Sequence, residues 1–190
     1  MRRPLIAALL ALLATTAGCA GDPAPPPDPA PATPAAAPVT SGIDVLYLTM
    51  LAAHTEQTLQ IVRLGLDRAT DPRIRTLIAA VETTETDELA TVRGWLREAG
   101  PSAAAAAARH DHAGHSDAAA GLARLGAAPP GTADRVLLDV LSEHQRTAAD
   151  LARAQIRAGT SERVRDLARR VQRSRAAEVA LMATYRTEQR

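Results

Sequence analysis

Three of the chain's five histidines, His110, His112 and His115, stand close together, with Asp111 between them and Asp117 just beyond. Neutral imidazole is a good ligand for Cu(II), Ni(II) and Zn(II). A His-x-His-x-x-His spacing lets two or three rings reach one ion if the segment folds around it. A solvated loop between alanine-rich stretches accounts for the same residues equally well. The other two histidines, His54 and His144, fall in apolar, helix-period stretches together with Glu85, Glu88, Arg175 and Glu178. Charge inside a helical core is costly unless it is paired or metal-bound, so a polar belt there needs a reason. One reason is a ligand cluster on facing helices. The other is a hydrogen-bonded network, His54 with Glu88, His144 with Glu178 and Glu85 with Arg175, in which the fixed cation of Arg175 would repel a metal ion.

These side chains need helices to position them. Phe is absent, there are one Trp and two Tyr, and nearly half of the residues are apolar. That composition argues against a β-sandwich or barrel and for an all-α fold. Helical periodicity covers residues 43–69, 72–99, 132–158 and 162–188. Asp71 is placed to cap the second helix, with Pro72 in its first turn, and Gly100-Pro101 ends it. The turns at 70–71 and 159–161 are short enough to make two antiparallel hairpins.

Shifting the chain by 90 aligns the hairpins without a gap: Asp44 on Asp134, Leu48 on Leu138, His54 on His144, Thr70 on Thr160, Arg73 on Arg163, Glu88 on Glu178 and Trp95 opposite Tyr185. The expected architecture is an antiparallel four-helix bundle, ferritin-like, made of two duplicated hairpins (43–99 and 132–188). A long His-rich crossover (100–131) joins them, with a short helix near 117–125. In each hairpin the seam is apolar at its ends and polar in the middle, which sets His54 level with residues near 87 and His144 level with Arg175 and Glu178.

The N-terminus reads as an address. Arg2 and Arg3 precede a short apolar run at 5–13, too short to span a bilayer. Thr16-Ala17-Gly18-Cys19 then has the form of a lipobox. Residues 1–18 are expected to be a lipoprotein signal peptide, Cys19 the lipidated residue, and 19–42, with eight prolines, an extended tether. The expected location is extracytoplasmic and lipid-anchored, with the membrane as partner. Net charge is +1, which gives no support for nucleic-acid binding.

The order Asp44, Met50, His54, then Glu88 and Trp95-Leu96, then a His-containing crossover and the pattern again, resembles the secreted, ferritin-like family known as domain of unknown function 305 over residues 43–188. The resemblance implies copper or silver handling through His and Met. The chain retains Asp44, Met50, His54, Glu88, Trp95 and Leu96, and in the second hairpin Asp134, His144, Glu178 and Met182. It departs where Ala53 and Glu143 replace the first His of each family pair, Gln60 and Asp150 a downstream Met, Glu85 and Arg175 a Gln, and Val92 and Val140 further Met residues. Thioethers select Cu(I), and apart from the initiator only Met50 and Met182 remain.

No Glu is followed three residues later by His, as di-iron bundles require, and no catalytic triad, phosphate loop or CxxC occurs. The expectation is a non-enzyme: a metal-binding or buffering protein with copper or zinc as its only cofactor, or a structural module whose family site has degenerated. The sequence names no protein partner.

Overall fold

The computed structural model describes residues 42–101, 105 and 118–188. They are all-helical, and no strand occurs among them. The helices are α1 (Gly42–Arg68), α2 (Pro72–Ala99), α3 (Ala118–Ala127), α4 (Pro130–Ala158) and α5 (Glu162–Glu188). The short α3 belongs to the crossover. Cys19, the leader, the tether and His110, His112 and His115 lie outside the described residues. Some boundaries differ from the sequence reading: the first helix runs over 42–68 rather than 43–69, and the crossover helix over 118–127 rather than near 117–125. Helix α4 begins at Pro130, not at residue 132, because proline costs nothing in a first turn, where its missing N–H has no intrahelical partner.

Helix α1 packs on α2, α4 on α5, and α1 on α4. Asp71 caps α2 as expected, its carboxylate accepting from Arg73 N at 2.8 Å. Gly65 sits where α1 meets α4: a Cβ there would lie 2.8 Å from Leu137 Cδ1, so a larger residue would require the Leu137 side chain to shift. The apolar core forms two clusters. One holds Ile61, Ile74, Ile78, Leu125, Leu137, Leu141 and Met182, and the other holds Tyr47, Leu48, Leu51, Leu89, Val164, Leu167 and Val171.

The contacts between hairpins repeat at the offset of 90. Asp44, on α1, is fully buried and accepts from Thr160 N (3.1 Å), Thr160 Oγ1 (2.7 Å), Ser161 N (3.1 Å) and Gln155 Nε2 (2.6 Å). Asp134, on α4, accepts from Thr70 N (2.9 Å), Thr70 Oγ1 (2.6 Å) and Asp71 N (3.0 Å). Each hairpin thus holds the turn of the other, a long-range version of helix capping in which a carboxylate satisfies N–H groups that helix starts leave unpaired. Arg73 pairs with Glu188 at 2.6 Å and lies over the Tyr185 ring. Its counterpart Arg163 pairs with Glu98 at 2.9 Å and lies over the Trp95 ring.

Removing a carboxylate that serves several buried donors strands them all. Asp44→Ala should therefore cost about 3 kcal/mol of unfolding free energy, and Asp134→Ala, at a half-exposed site, about 1 kcal/mol. Urea denaturation of the two variants checks the order; equal losses would show that burial of Asp44 adds nothing.

Candidate functional site

Between the two apolar clusters lies a buried polar belt. Its centre is Arg175 on α5, only 1% exposed. Three carboxylates converge on its guanidinium. Glu85 Oε1, from α2, lies 3.3 Å from Nε, Glu88 pairs with Nη2, and Glu178 Oε1, one turn along α5, is 3.4 Å from Nη1. Gln145, on α4, donates from Nε2 to Glu85 Oε1 (2.6 Å) and to Glu178 Oε2 (2.7 Å). Ser174 donates to Glu178 Oε1 at 2.8 Å. Side chains of α2, α4 and α5 are therefore tied at one point.

The histidines are arranged differently from the sequence reading. His54 does not pair with Glu88, nor His144 with Glu178. The two rings stack on each other, centroids 3.7 Å apart and planes 7° from parallel, and His144 Nε2 lies 3.2 Å from the His54 carbonyl oxygen. The seam register fixes the level of a residue along a helix but not the neighbour it faces, and His54 turns toward α4. Two positions separated by the repeat offset and touching each other mark where the two halves meet. The methionines are not ligands to this belt either. Met182 is buried in the first apolar cluster, with Ser142 Oγ 3.5 Å from its sulfur. Met50 is half-buried in a surface groove between α1 and α4. Glu143, where the family pattern has His, is exposed, 4.0 Å from Arg124 at a pocket of about 180 Å³ that His144 also borders.

The electrostatics follow from burial. Desolvation pushes Glu85 up to about 7, against the pull of Arg175 and the hydrogen bond from Gln145. Burial brings His54 down to about 3, with His144 and Arg175 adding to the effect. Burial also lowers His144, opposed by its contact with His54. For Arg175 burial acts downward, but Glu85, Glu88 and Glu178 outweigh it and hold the guanidinium above its ordinary value. Near neutral pH the belt therefore holds neutral imidazoles, a fixed cation and a Glu85 that is about half protonated.

This donor set does not fit a soft metal ion. Among the described residues no three His, Cys, Asp or Glu converge as ligands. The buried polar atoms of the belt left without a hydrogen bond are Tyr47 OH, His54 Nε2, Glu85 Oε2, Gln145 Oε1 and Arg175 Nε: oxygens and nitrogens, with no sulfur. In-plane lone pairs of stacked imidazoles run side by side rather than meeting at one ion. The structure brings together Glu85, Glu88, Arg175 and Glu178, and separately His54 and His144; it leaves Met50 and Met182 apart. Sequence reasoning passed over Gln145, although it continues the buried stripe Leu137, Leu141, Gln145, Ala148, Ala152 at helical spacing. It also passed over the role of Asp44.

The signs of these shifts give a pH test. Glu85 binds a proton in the folded state between about 4.5 and 7 that the unfolded chain releases, so its contribution is complete at low pH and is lost as pH rises through 7. His54 is the reverse: the unfolded chain gains a proton below 6.5, so stability is lost as pH falls from 6.5 toward 3. Glu85→Gln should gain on wild type by on the order of 2 kcal/mol between pH 5 and 8. Unfolding curves at the two pH values check this. A constant difference between variant and wild type would mean that Glu85 titrates normally.

A family model described as a domain of unknown function (DUF305) matches residues 44–186. Among curated protein sequences none matches the chain. Three solved structures are similar in fold. A candidate secreted DUF305 protein from Streptomyces coelicolor has 22% identity and a TM-score of 0.69, covering 80% of this chain and 94% of its own. A DUF305 fragment from Deinococcus radiodurans has 18% identity and a TM-score of 0.67, covering 78% and 97%. CopM in its Cu(II)-bound form has 19% identity and a TM-score of 0.64, covering 76% and 96%. CopM is also known in Cu(I)-bound and silver-bound forms.

Proposed function

The chain belongs to the DUF305 family, and from that premise we propose that it is a non-catalytic, lipid-anchored protein of the cell envelope that binds a copper- or zinc-class ion through His110, His112 and His115 of the crossover. In this reading the mature part is a four-helix bundle of two duplicated hairpins, and the bundle core itself is metal-independent. The observation that carries it is the guanidinium of Arg175 enclosed by Glu85, Glu88 and Glu178, where a cation is already in place. Binding of Cu(II), Cu(I) and silver by CopM supports metal handling on this fold. The His-x-His-x-x-His spacing allows two or three imidazoles to reach one Cu(II) or Zn(II) ion if the segment folds around it. For the location, the lipobox ending in Cys19 is the support, and no helix among the described residues is long and apolar enough to cross a membrane.

A structural module with a lost metal site is the second reading, favoured by the same core. Calorimetric titration with Cu(II) and Zn(II) at neutral pH separates the two. Replacing His110, His112 and His115 by Ala should abolish binding, and replacing His54 and His144 by Ala should leave it intact. Binding by the wild type should weaken as pH falls through roughly 6.5, where free imidazole takes its proton. Loss of binding in the His54/His144 variant alone would return the site to the core, and a wild type that binds neither ion would leave the structural module. The anchor has its own check: labelled palmitate should enter the wild type and not Cys19→Ala.

A further inference from the structure

The two hairpins differ in charge. Residues 42–99 carry six arginines against nine acidic residues, and residues 130–188 carry eleven against eight. The excess has a definite place. Arg135, Arg146 and Arg157 follow one another at intervals of eleven residues, close to three helical turns. They therefore stand in one line, about 33 Å long, on α4. Asp139, one turn from Arg135 on the same side, reaches Arg186 of α5 at 2.8 Å, so the line runs along the flank that adjoins α5. Across the turn at 159–161, Arg173 of α5 comes level with Thr147, next to Arg146. All four arginines are exposed. At the offset of 90 the sign is reversed: Arg146 corresponds to Glu56, and Arg157 to Asp67.

Neighbouring carboxylates do not cancel this charge. Asp150 is paired with Arg153, and Glu162 and Asp166 with Arg169. Arg135, Arg146, Arg157 and Arg173 make no ion pair among the described residues. A guanidinium keeps its charge at any ordinary pH, and its planar fork matches the oxygens of a phosphate.

We propose that this face of α4 and α5 lies on an anionic phospholipid surface, with the four arginines at its phosphates. The proposal rests on the lipid anchor at Cys19 put forward above, and the point where the chain enters the bundle agrees with it. Asp44, in the first turn of α1, accepts from Thr160 Oγ1 at 2.7 Å and from Ser161 N at 3.1 Å. Gly42 therefore stands at the α4–α5 turn, and Arg157 is two residues before Gly159 on that turn. An anchor preceding Gly42 joins the domain at one end of the arginine line. One lipid chain binds a membrane only marginally, and a basic patch is a second signal that makes the hold stable. Such a patch acts within a Debye length, about 8 Å at physiological salt, so it needs the anchor to keep it near. A second copy is a poorer partner, because Glu56, on its acidic hairpin, is already paired with Arg93 at 2.8 Å.

The test uses residues 19–190 with Cys19→Ala, so that no acyl chain contributes. Its outcome is then independent of the palmitate check on the anchor. Sedimentation with phosphatidylglycerol/phosphatidylcholine vesicles is compared with phosphatidylcholine alone. Binding should be at least tenfold tighter to the anionic vesicles and should weaken as salt is raised. Arg146→Glu/Arg157→Asp/Arg173→Thr, which installs the residues of the first hairpin, should bind at least tenfold more weakly and unfold at the same urea concentration. Arg63→Glu/Arg93→Asp/Arg97→Thr makes the same charge change on the first hairpin and should bind as before. Equal loss in both variants would overturn the proposal, since net charge alone would then govern binding. So would equal binding to neutral vesicles. Duplex DNA held as tightly as the anionic vesicles, or self-association abolished by the Arg146/Arg157/Arg173 variant, would assign the face to nucleic acid or to a second copy and overturn it too.

Discussion

The guanidinium of Arg175 is the constraint on which the middle of this protein depends. A charge this deeply buried is tolerated only with opposite charges and hydrogen bonds around it, and here Glu85, Glu88 and Glu178 provide them. Three carboxylates around one cation would leave excess negative charge in the core, and burial relieves part of this by raising Glu85 to about 7, so that it is about half protonated near neutral pH. Gln145 then joins two of the carboxylates from the neighbouring helix. Breaking such a cluster by removing one member typically costs about 3–5 kcal/mol, whereas replacing all of it by apolar groups is often neutral. The belt therefore specifies which helices meet, and at what level, more than it adds to stability.

At the ends of the molecule the same problem is solved by exchange. Asp44 satisfies the turn that begins α5, and Asp134 the turn that begins α2. Reciprocal ties fix how far one hairpin slides along the other, because a shift of one residue would withdraw both carboxylates together. With the ends fixed in this way, His54 and His144 are brought face to face, and burial keeps both imidazoles neutral.

Much of this was legible in the residues. Periodicity and turn chemistry marked the helices, since Asp71-Pro72 and Gly100 have one good use each. The repeat, which sets Glu85 and Arg175 at equivalent positions, paired the two across its pseudo-twofold, and the structure brings them together. What stayed hidden were relations that need the angle of a side chain around its helix. His54 was read as facing Glu88 because both lie on one hairpin, yet α1 touches α4 as well as α2, and the ring turns that way. Gln145 sits on a buried stripe but looks like any helix-surface glutamine when read by type. Asp44 and Asp134 aligned in the repeat, but only the packing of one hairpin on the other shows that each serves the opposite turn.

The middle of the core is occupied by a fixed cation and its carboxylates, which leaves no room there for a second cation. The direct measurement is anomalous diffraction from crystals of the chain grown with Cu(II), with data collected on both sides of the copper edge. The account predicts no copper peak between α2 and α5 and an undisturbed Arg175 guanidinium among Glu85, Glu88 and Glu178. A copper peak bound by His54, His144 or those carboxylates, with the guanidinium displaced, would contradict it.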